Sequence, residues 1–229
     1  MAMTEPTTTG RAPLDDREVR PRTAYVGRLE IQWDPRILEP RPWTAEQSRW
    51  AASLLTDLPQ GPVLELCAGA GHIGLLAVAG TRRELVCVDI DPVATEYAAA
   101  NARRNGLAAQ VSTRTESIAD AAEHPTSYSL VLADPPWVAS AETGRFPEDP
   151  LRAIDGGADG SALAVDCVRT AGRVLAPGGA LVLQVGTEAQ LDGPVAAAGR
   201  EHGLVEVERR VFERGVLALL RHADGQVSG

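Results

Sequence analysis

The residue types best suited to chemistry lie in the segment Asp134-Pro-Pro-Trp137, which directly follows the apolar stretch Tyr128–Ala133. The Asp134 carboxylate and the Pro135 carbonyl can both accept N–H bonds from a planar NH2 group, and the rigid prolines restrict the backbone that presents them. The Trp137 indole offers a flat apolar face on which the same planar group can lie. Two prolines that simply end a strand are the alternative, but the flanking acid and indole favour a site for a planar nitrogen.

A second candidate site is the glycine-containing segment Glu65-Leu-Cys-Ala-Gly-Ala-Gly71. Gly69 and Gly71 allow a tight turn and a close approach of the backbone to a ligand. About twenty residues further on, Asp89 ends the next apolar stretch, where its carboxylate can accept hydrogen bonds from both hydroxyls of a ribose. Asp89 could instead cap the following helix, although Asp91 is better placed for that role. The segment lacks the third glycine of the dinucleotide fingerprint, which disfavours an NAD-linked enzyme.

Both segments follow predicted strands in a region where strands and helices alternate along the chain. The predicted strands cover residues 63–67, 85–88, 128–133 and 180–185, with a weaker strand around Val111. The predicted helices cover residues 73–79, 92–105 and 161–175. This alternation predicts a mostly parallel sheet with helices on both faces, and segments 204–210 and 216–221 predict an antiparallel hairpin at one edge. Ligands bind at the carboxyl ends of parallel strands, so both candidate segments are expected to face one site.

An N-terminal region precedes this alternation. Tyr25–Trp33 shows the apolar alternation of a strand or hairpin, and Thr44 is a suitable N-cap for a helix from Ala45 to about Thr56. We therefore divide the chain into a disordered leader over residues 1–21, a hairpin and helix over 22–60 that border the site, and one α/β domain over 61–229.

The composition is that of an ordinary globular protein with an acidic balance. Hydrophobic residues make up 44%, charged residues 23%, and the net charge is -9, which disfavours a general affinity for nucleic acid backbones. The three cysteines and four histidines show no disulfide or metal-ligand spacing, so no metal site is predicted. Without a signal peptide or membrane-spanning stretch, we expect a cytoplasmic protein with no membrane partner, and its oligomeric state stays open.

The two candidate segments resemble those of known methyltransferases. The E-x-x-x-G-x-G pattern of residues 65–71 resembles motif I of the class I S-adenosylmethionine-dependent methyltransferases. Asp134-Pro-Pro-Trp137 resembles the (N/D)-P-P-(Y/F/W) signature of methyltransferases that act on glutamine amides and on exocyclic amines of nucleobases. Three flanking segments, in collinear order, are similar to the HemK/PrmC family of release-factor glutamine methyltransferases: residues 38–44, 151–160 and 177–186.

This resemblance implies a fold, a cofactor and a set of site residues. The implied fold is a class I methyltransferase domain with a mostly parallel seven-stranded sheet, and the implied cofactor is S-adenosyl-L-methionine. The resemblance implies that the acceptor is held by Asp134, Pro135, Pro136 and Trp137. It implies that the cofactor is contacted at Glu65, Cys67, Ala68, Gly69, Ala70, Gly71, Asp89, Ile90 and Asp134, and near Glu116 or Ser117. Pro42 and Thr44 are implied at the border of the pocket, with a plain helix cap as the alternative role of Thr44.

Three departures from the HemK/PrmC pattern bear on the substrate. Cys67 replaces a glycine, Asp134 and Trp137 replace the usual Asn and Tyr, and a short polar leader stands in place of an N-terminal helical domain. The first choice of acceptor is a glutamine amide in a protein substrate such as a release factor. A nucleobase or a small-molecule amine is the alternative within the same class, with nucleic acid the less favoured partner. A non-catalytic nucleotide-binding protein is the alternative from another class.

Overall fold

The computed structural model describes residues 19–223, in which strands and helices alternate. The strands are β1 (Arg22–Val26), β2 (Leu29–Trp33), β3 (Val63–Leu66), β4 (Leu85–Asp89), β5 (Val111–Thr115), β6 (Tyr128–Ala133), β7 (Leu175–Val185), β8 (Leu204–Phe212) and β9 (Gly215–His222). The helices are α1 (Ala45–Leu54), α2 (His72–Val78), α3 (Pro92–Arg104), α4 (Leu151–Ile154), α5 (Ala162–Val174), α6 (Glu188–Gln190) and α7 (Ala196–Glu201). Short 3-10 turns lie at Pro42–Thr44, Asp120–Glu123 and Ser140–Arg145, and a π-helical turn, Leu191–Val195, joins α6 to α7.

Seven of these strands form one sheet in the order β5-β4-β3-β6-β7-β9-β8. The first five in this order run parallel, and β9 and β8 add an antiparallel hairpin at the β7 edge. The chain moves outward in one direction from β3 through β5 and then returns to place β6 on the other side of β3. Such a reversal opens a crevice at the carboxyl ends of the central strands. The predicted seven-stranded, mostly parallel sheet with a C-terminal hairpin is confirmed.

The sheet is covered on both faces because its central strands are apolar on both sides. Every residue of β3 and of β6 is buried, as expected for inner strands of a parallel sheet. One face packs against α1, α2 and α3 through side chains such as Trp50, Leu75 and Ala98. The other face packs against α5 and α7 through side chains such as Val168 and Ala198. The buried faces therefore hold the loops at the strand ends in fixed positions.

The predicted N-terminal hairpin forms a separate two-stranded sheet that docks on α3. Asn101 and Asn105, one helical turn apart, pair their carboxamides with the backbone of Gln32 and Glu30, at distances of 2.8–3.1 Å. The two carboxamides thus exchange hydrogen bonds with the backbone at the edge of the hairpin, as a neighbouring strand would. This arrangement fixes the chain that leads from β2 toward the site.

The structure differs from the sequence prediction at β7, in the helical run 188–201 and at the short helix α4, which was not predicted. β7 begins at Leu175, five residues before the predicted start, because the strand continues through Pro177–Gly179. The helical run 188–201 was not predicted, since Asp192-Gly-Pro194 interrupts its pattern with two poor helix formers. The predicted leader lies outside the described residues up to residue 18, and the domain boundaries stay predictions. Among residues 19–223, no helix has the length and apolar content needed to cross a membrane.

Candidate active site

A cavity of about 770 Å³ opens at the carboxyl ends of β3, β4 and β6. Its volume lies in the range of pockets that enclose small organic ligands. The two candidate segments, which lie more than sixty residues apart in the chain, meet in its wall. The predicted site residues in the lining are Thr44, Cys67, Ala68, Gly69, Ala70, Asp89, Ile90, Glu116, Ser117, Asp134 and Pro136. The predicted residues absent from it are Pro42, Glu65, Gly71, Pro135 and Trp137.

The glycine loop between β3 and α2 turns through three left-handed residues. The φ angles are 57° at Cys67, 51° at Gly69 and 76° at Gly71, a region that favours glycine. A Cβ on Gly71 would lie 2.9 Å from the Ala98 Cβ, so glycine is needed there for the packing of α3. A Cβ on Gly69 would meet no atom within 4 Å, and this position lines the cavity. Gly69 therefore leaves room for a ligand to approach the backbone.

Cys67 is the one non-glycine residue with positive φ among residues 19–223. An L-residue in this conformation costs roughly 1–2 kcal/mol, which gives a physical reason for glycine at this position in related sequences. The loop nevertheless keeps its shape, since the Cys67 side chain packs toward the buried Cys167. A hydrogen bond with the Cys167 thiol, together with burial, raises the pKa of the Cys67 thiol. The thiol is therefore neutral and acts as a small apolar group in the cavity wall.

Asp89, at the end of β4, ties the glycine loop to the start of α3. Its Oδ2 accepts the Gly69 N–H at 2.8 Å, and its Oδ1 accepts the Asp91 N–H at 2.9 Å. Asp91 caps α3 by accepting the Val93 N–H at 2.8 Å, which confirms the preference for Asp91 as the helix cap. Each carboxylate oxygen of Asp89 has a second lone pair, so it retains acceptor capacity for ligand hydroxyl groups.

Asp134 lies in the cavity wall, half-buried, with no side-chain hydrogen bond to any residue in 19–223. Burial raises the pKa of its carboxyl to about 7. Pro136 lines the same wall, whereas Pro135 is buried behind it. An acceptor-only group without an internal partner, next to rigid prolines, is suited to receive a donor from a ligand. The group can also change its proton occupancy near neutral pH.

Trp137 does not reach the cavity wall, in contrast to its predicted role as a stacking face. Its indole packs over Gly186, where a Cβ would overlap the ring. Its carbonyl oxygen accepts the Gln190 Nε2 at 3.0 Å. The absence of a side chain at Gly186 creates the slot that holds the ring outside the lining.

Glu65 also lies behind the lining, in contrast to the cofactor contact predicted for it. The side chain is 2% exposed, and its carboxyl accepts the Gly74 N–H at 3.0 Å and the Cys87 thiol at 3.4 Å. Burial raises the pKa of Glu65 to about 8, and the nearby carboxyls of Asp134 and Asp89 add to the shift. Glu65 thus supports the start of α2 from beneath, within electrostatic reach of the cavity.

Thr44 contacts His72 rather than capping α1 with its side chain. Its hydroxyl donates to the Arg41 carbonyl at 2.7 Å and lies 2.9 Å from His72 Nε2. Since that hydroxyl proton is already donated, His72 Nε2 must carry the hydrogen that joins the two side chains. Burial lowers the pKa of His72 to about 4, so the ring is neutral. The alternative role of Thr44 as a side-chain cap is therefore wrong. His72, interpreted from the sequence as a helix-start residue beside the glycine loop, begins α2 and also lines the cavity.

The residues after β5 supply further polar groups. Glu116 Oε2 lies 2.9 Å from His124 Nε2, while Oε1 is buried, forms no hydrogen bond within residues 19–223 and lies 3.9 Å from Arg114 Nη1 in an ion pair. The Ser117 hydroxyl donates to Asp120 at 2.7 Å. Both residues line the cavity, and Ile90 adds an exposed apolar side chain to the same lining.

The opposite wall is formed by the segments 36–41 and 150–155, which are bridged by the ion pair of Arg41 and Asp149 at 2.5 Å. Most of this wall lies within the flanking segments 38–44 and 151–160 identified from the sequence, whereas Arg36, Ile37 and Pro150 lie outside them. The lining as a whole is acidic: seven carboxyl residues stand against three arginines (Glu39, Asp89, Asp91, Glu116, Asp134, Asp155 and Asp166; Arg36, Arg41 and Arg152). Such a lining favours a cationic ligand. No cluster of metal-ligating side chains occurs among residues 19–223.

Comparisons with known proteins show that the chain is similar to methyltransferases. Residues 47–146 match the family described as methyltransferase small domain. The chain is 32% identical over 170 residues to the release factor glutamine methyltransferase of Gloeobacter violaceus, a match covering 71% of this chain and 59% of that protein. It is 30% identical over 162 residues to the ribosomal protein uL3 glutamine methyltransferase of Bordetella pertussis, covering 68% and 54%. The chain therefore spans less than two thirds of the length of these relatives.

Solved structures share the arrangement of strands and helices at lower sequence identity. The ribosomal protein L11 methylase from Lactobacillus delbrueckii subsp. bulgaricus is 13% identical and superposes with a TM-score of 0.61, covering 82% of this chain and 83% of that one. The hMettl16 catalytic domain is 16% identical, with a TM-score of 0.66 over 86% of this chain and 76% of that one. At these identities the likeness concerns the fold alone.

Proposed function

We propose that the chain is an S-adenosylmethionine-dependent N-methyltransferase. This is supported by its HemK/PrmC-like sequence, by the match of residues 47–146 to the methyltransferase small domain family and by its class I methyltransferase fold. Its acceptor is a planar NH2 group, and the first choice is the side-chain amide of a protein glutamine. The observation that carries the proposal is the single cavity in which Asp134 meets Gly69 and Asp89. The names of the curated relatives, which act on a release factor and on ribosomal protein uL3, support a protein acceptor.

The residues of the cavity fit the cofactor in charge and shape. The space over Gly69 admits a ligand backbone, and Asp89 accepts ribose hydroxyls. The acidic lining suits a molecule that carries a sulfonium and an ammonium group. When bound, S-adenosylmethionine supplies an electrophilic methyl group on its sulfonium.

The protein contributes position and electrostatics to the transfer. Asp134 accepts an N–H bond from the acceptor and so turns the nitrogen lone pair toward the methyl group, which provides most of the rate by orientation. Its carboxylate also stabilises the positive charge that grows on nitrogen. The nitrogen gains a bond to carbon, the carbon–sulfur bond breaks, and the nitrogen loses one proton. With a pKa of about 7, Asp134 is able to take that proton.

We expect the affinity for S-adenosylmethionine to rise by about threefold between about pH 6 and pH 8. Burial raises the pKa of Asp134 to about 7 and of Glu65 to about 8, so both carboxyls are mostly neutral at the lower pH and ionise as the pH rises. The ionised carboxyls attract a sulfonium but not the neutral sulfur of S-adenosylhomocysteine. Calorimetry with both ligands across this range measures the difference. A ratio of the two affinities that does not change with pH would remove these carboxyls from the neighbourhood of the sulfonium.

A nucleobase or a small-molecule amine is the second candidate acceptor. It is favoured by the Asp134-Pro-Pro-Trp137 form of the loop, which is more familiar from nucleobase enzymes. The acidic cavity opposes a polyanionic substrate, because its carboxyls repel phosphate groups. A glutamine amide is neutral and meets no such barrier.

Transfer of a labelled methyl group tests the proposal and its alternative together. The protein is incubated with methyl-labelled S-adenosylmethionine and a bacterial extract, which is then separated into protein, nucleic acid and small molecules. We expect label in the protein fraction, on glutamine side-chain nitrogen after digestion. Label confined to either of the other fractions would replace the proposed acceptor. Absence of label from all three, with the cofactor bound, would overturn the proposed activity.

A further inference from the structure

The loop that carries Asp134 is held at its first end by Gln47, a fully buried residue of α1. Gln47 Nε2 donates to the carbonyl oxygens of Ala133 and Val182, both at 3.0 Å. Ala133 is the last residue of β6 and directly precedes Asp134, and Val182 lies on the neighbouring strand β7. One side chain therefore fixes the point at which the polypeptide leaves the sheet to form the loop.

Gln190, on α6, holds the other end of the same loop. Its Nε2 donates to the carbonyl oxygens of Trp137 and Asp159, both at 3.0 Å. Its Oε1 accepts the N–H groups of Gly186 and Thr187 at 2.9 and 3.1 Å. The segment Asp134–Trp137 thus runs between two side-chain amides, each of which donates to a carbonyl at one end of it.

The sequence of the loop explains why such donors are needed. Pro135 and Pro136 have no N–H groups, so the loop itself offers few donors with which to anchor its conformation. Donors must come from other elements, and the carboxamides of Gln47 and Gln190 provide them. The prolines stiffen the loop, while the two amides set its position relative to the sheet.

Packing alone does not account for Gln47. Its Oε1 is buried without a partner among the described residues, which costs about 1–3 kcal/mol. Methionine has a similar length and would fill the same space without an unsatisfied oxygen. The carboxamide is therefore explained better by the two bonds that it donates than by the volume that it occupies.

We propose that Gln47 and Gln190 are positioning residues that bracket the Asp134–Trp137 loop and hold Asp134 in the geometry required for methyl transfer. This inference rests on the proposed function. Neither glutamine lines the cavity, so both act through the loop rather than by touching a ligand. A displacement of the loop by about 1 Å is enough to cost on the order of a hundredfold in rate.

Gln47→Met is the decisive variant, with Ser129→Ala as its matched control. Ser129 is buried at the opposite end of β6, and its hydroxyl lies 3.1 and 3.2 Å from the carbonyl oxygens of Gly61 and Pro62. Both substitutions remove a buried donor to two backbone carbonyls of neighbouring segments. Only Gln47→Met removes it beside the site.

We expect Gln47→Met to lower kcat by about ten- to a hundredfold and to leave the Kd of S-adenosylmethionine within about twofold. Ser129→Ala should leave kcat within about twofold, at an equal or greater loss of thermal stability. Gln190→Met should lower kcat as Gln47→Met does, with a larger loss of stability because four hydrogen bonds are removed. A wild-type kcat in Gln47→Met, or an equal loss of kcat in Ser129→Ala, would overturn the proposal.

A second readout does not depend on turnover. Release of the loop exposes Asp134 to water, so its pKa, followed by carbon NMR of the carboxyl group, should fall from about 7 toward the ordinary value of 3.8 in Gln47→Met. Glu65 and Cys67 are the titratable groups in electrostatic contact with Asp134, and they are unchanged in this variant. An unaltered pKa of Asp134 in this variant would overturn the proposal that Gln47 positions the loop, whether or not the wild-type chain transfers a methyl group. Failure of the wild-type chain to transfer a methyl group would by itself count against the proposed function alone.

Discussion

Asp134→Ala is expected to lower kcat/KM for methyl transfer by at least about a thousandfold while leaving the Kd of S-adenosylmethionine within a few-fold. The substitution removes the group to which we assign the orientation of the acceptor nitrogen, the stabilisation of its developing charge and the removal of its proton. The proposed cofactor contacts at Gly69 and Asp89 stay in place, because Asp134 makes no side-chain hydrogen bond within residues 19–223. Steady-state kinetics and calorimetry on the same preparation separate the two effects.

Asp134→Asn distinguishes the roles of the carboxyl group. An amide oxygen still accepts an N–H bond, so orientation is retained, but the amide cannot take a proton. We expect this variant to keep measurable transfer and to lose the rise in rate that accompanies ionisation of a group with a pKa of about 7. A pH–rate profile identical to that of the wild type would assign the ionisation to another group. Transfer by Asp134→Ala within about tenfold of the wild-type rate would remove Asp134 from catalysis altogether.

The convergence of the two candidate segments could be predicted from the sequence because it follows from topology. Gly69 and Asp134 each come directly after a strand of apolar residues, and parallel strands present their carboxyl ends at one edge. The strands themselves were recognisable, since β3 and β6 are short apolar runs bounded by prolines and polar residues. No knowledge of the packing was needed to bring these loops together.

The direction of individual side chains could not be predicted in this way. Trp137 follows the prolines in sequence, but its ring turns away because Gly186, on a distant segment, leaves a slot for it. Glu65 lies on a strand whose alternate residues face opposite sides, and its side chain passes beneath α2 to meet Gly74. Both outcomes depend on residues far away in the chain, which no local pattern reveals.

The contacts that hold the site were equally hidden from the sequence. Gln47 occupies a helix that was predicted from the sequence, but nothing in the sequence marks it, any more than its buried neighbour Ser48, as a donor to the backbone of β6 and β7. The pairing of Thr44 with His72 joins positions that are 28 residues apart. Thr44 precedes α1 and His72 begins α2, as local patterns allow, but the contact between their side chains depends on tertiary packing.

The departure at Cys67 illustrates the reverse case, in which the structure explains a sequence pattern. The φ of 57° at this position accounts for the glycine usual in the resembling family. The left-handed backbone is unfavourable for cysteine, but the residue fits because its small side chain packs toward Cys167 and away from the space above Gly69. The loop therefore keeps the geometry on which the cofactor contacts depend.

Asp89→Ala is expected to weaken S-adenosylmethionine and S-adenosylhomocysteine alike by about 1–3 kcal/mol, or roughly 5- to 150-fold in Kd. The substitution removes the acceptor for the ribose hydroxyls, which both ligands share, and it leaves the Gly69 and Asp91 N–H groups without their partner. An equal loss of affinity for both ligands distinguishes the ribose contact from the attraction of Asp134 for the sulfonium, because only S-adenosylmethionine carries a sulfonium.

The contact with the ribose can be separated from the support of the loop by a double-mutant cycle with an analogue of S-adenosylhomocysteine that lacks the 2′-hydroxyl. In the wild type, removal of this hydroxyl should weaken binding, because one lone pair of the Asp89 carboxylate loses its donor. In Asp89→Ala the same change to the ligand should have almost no effect, so the two losses do not add. If they added fully, Asp89 would act only by bracing Gly69 and the start of α3, and the ribose would lie elsewhere in the cavity.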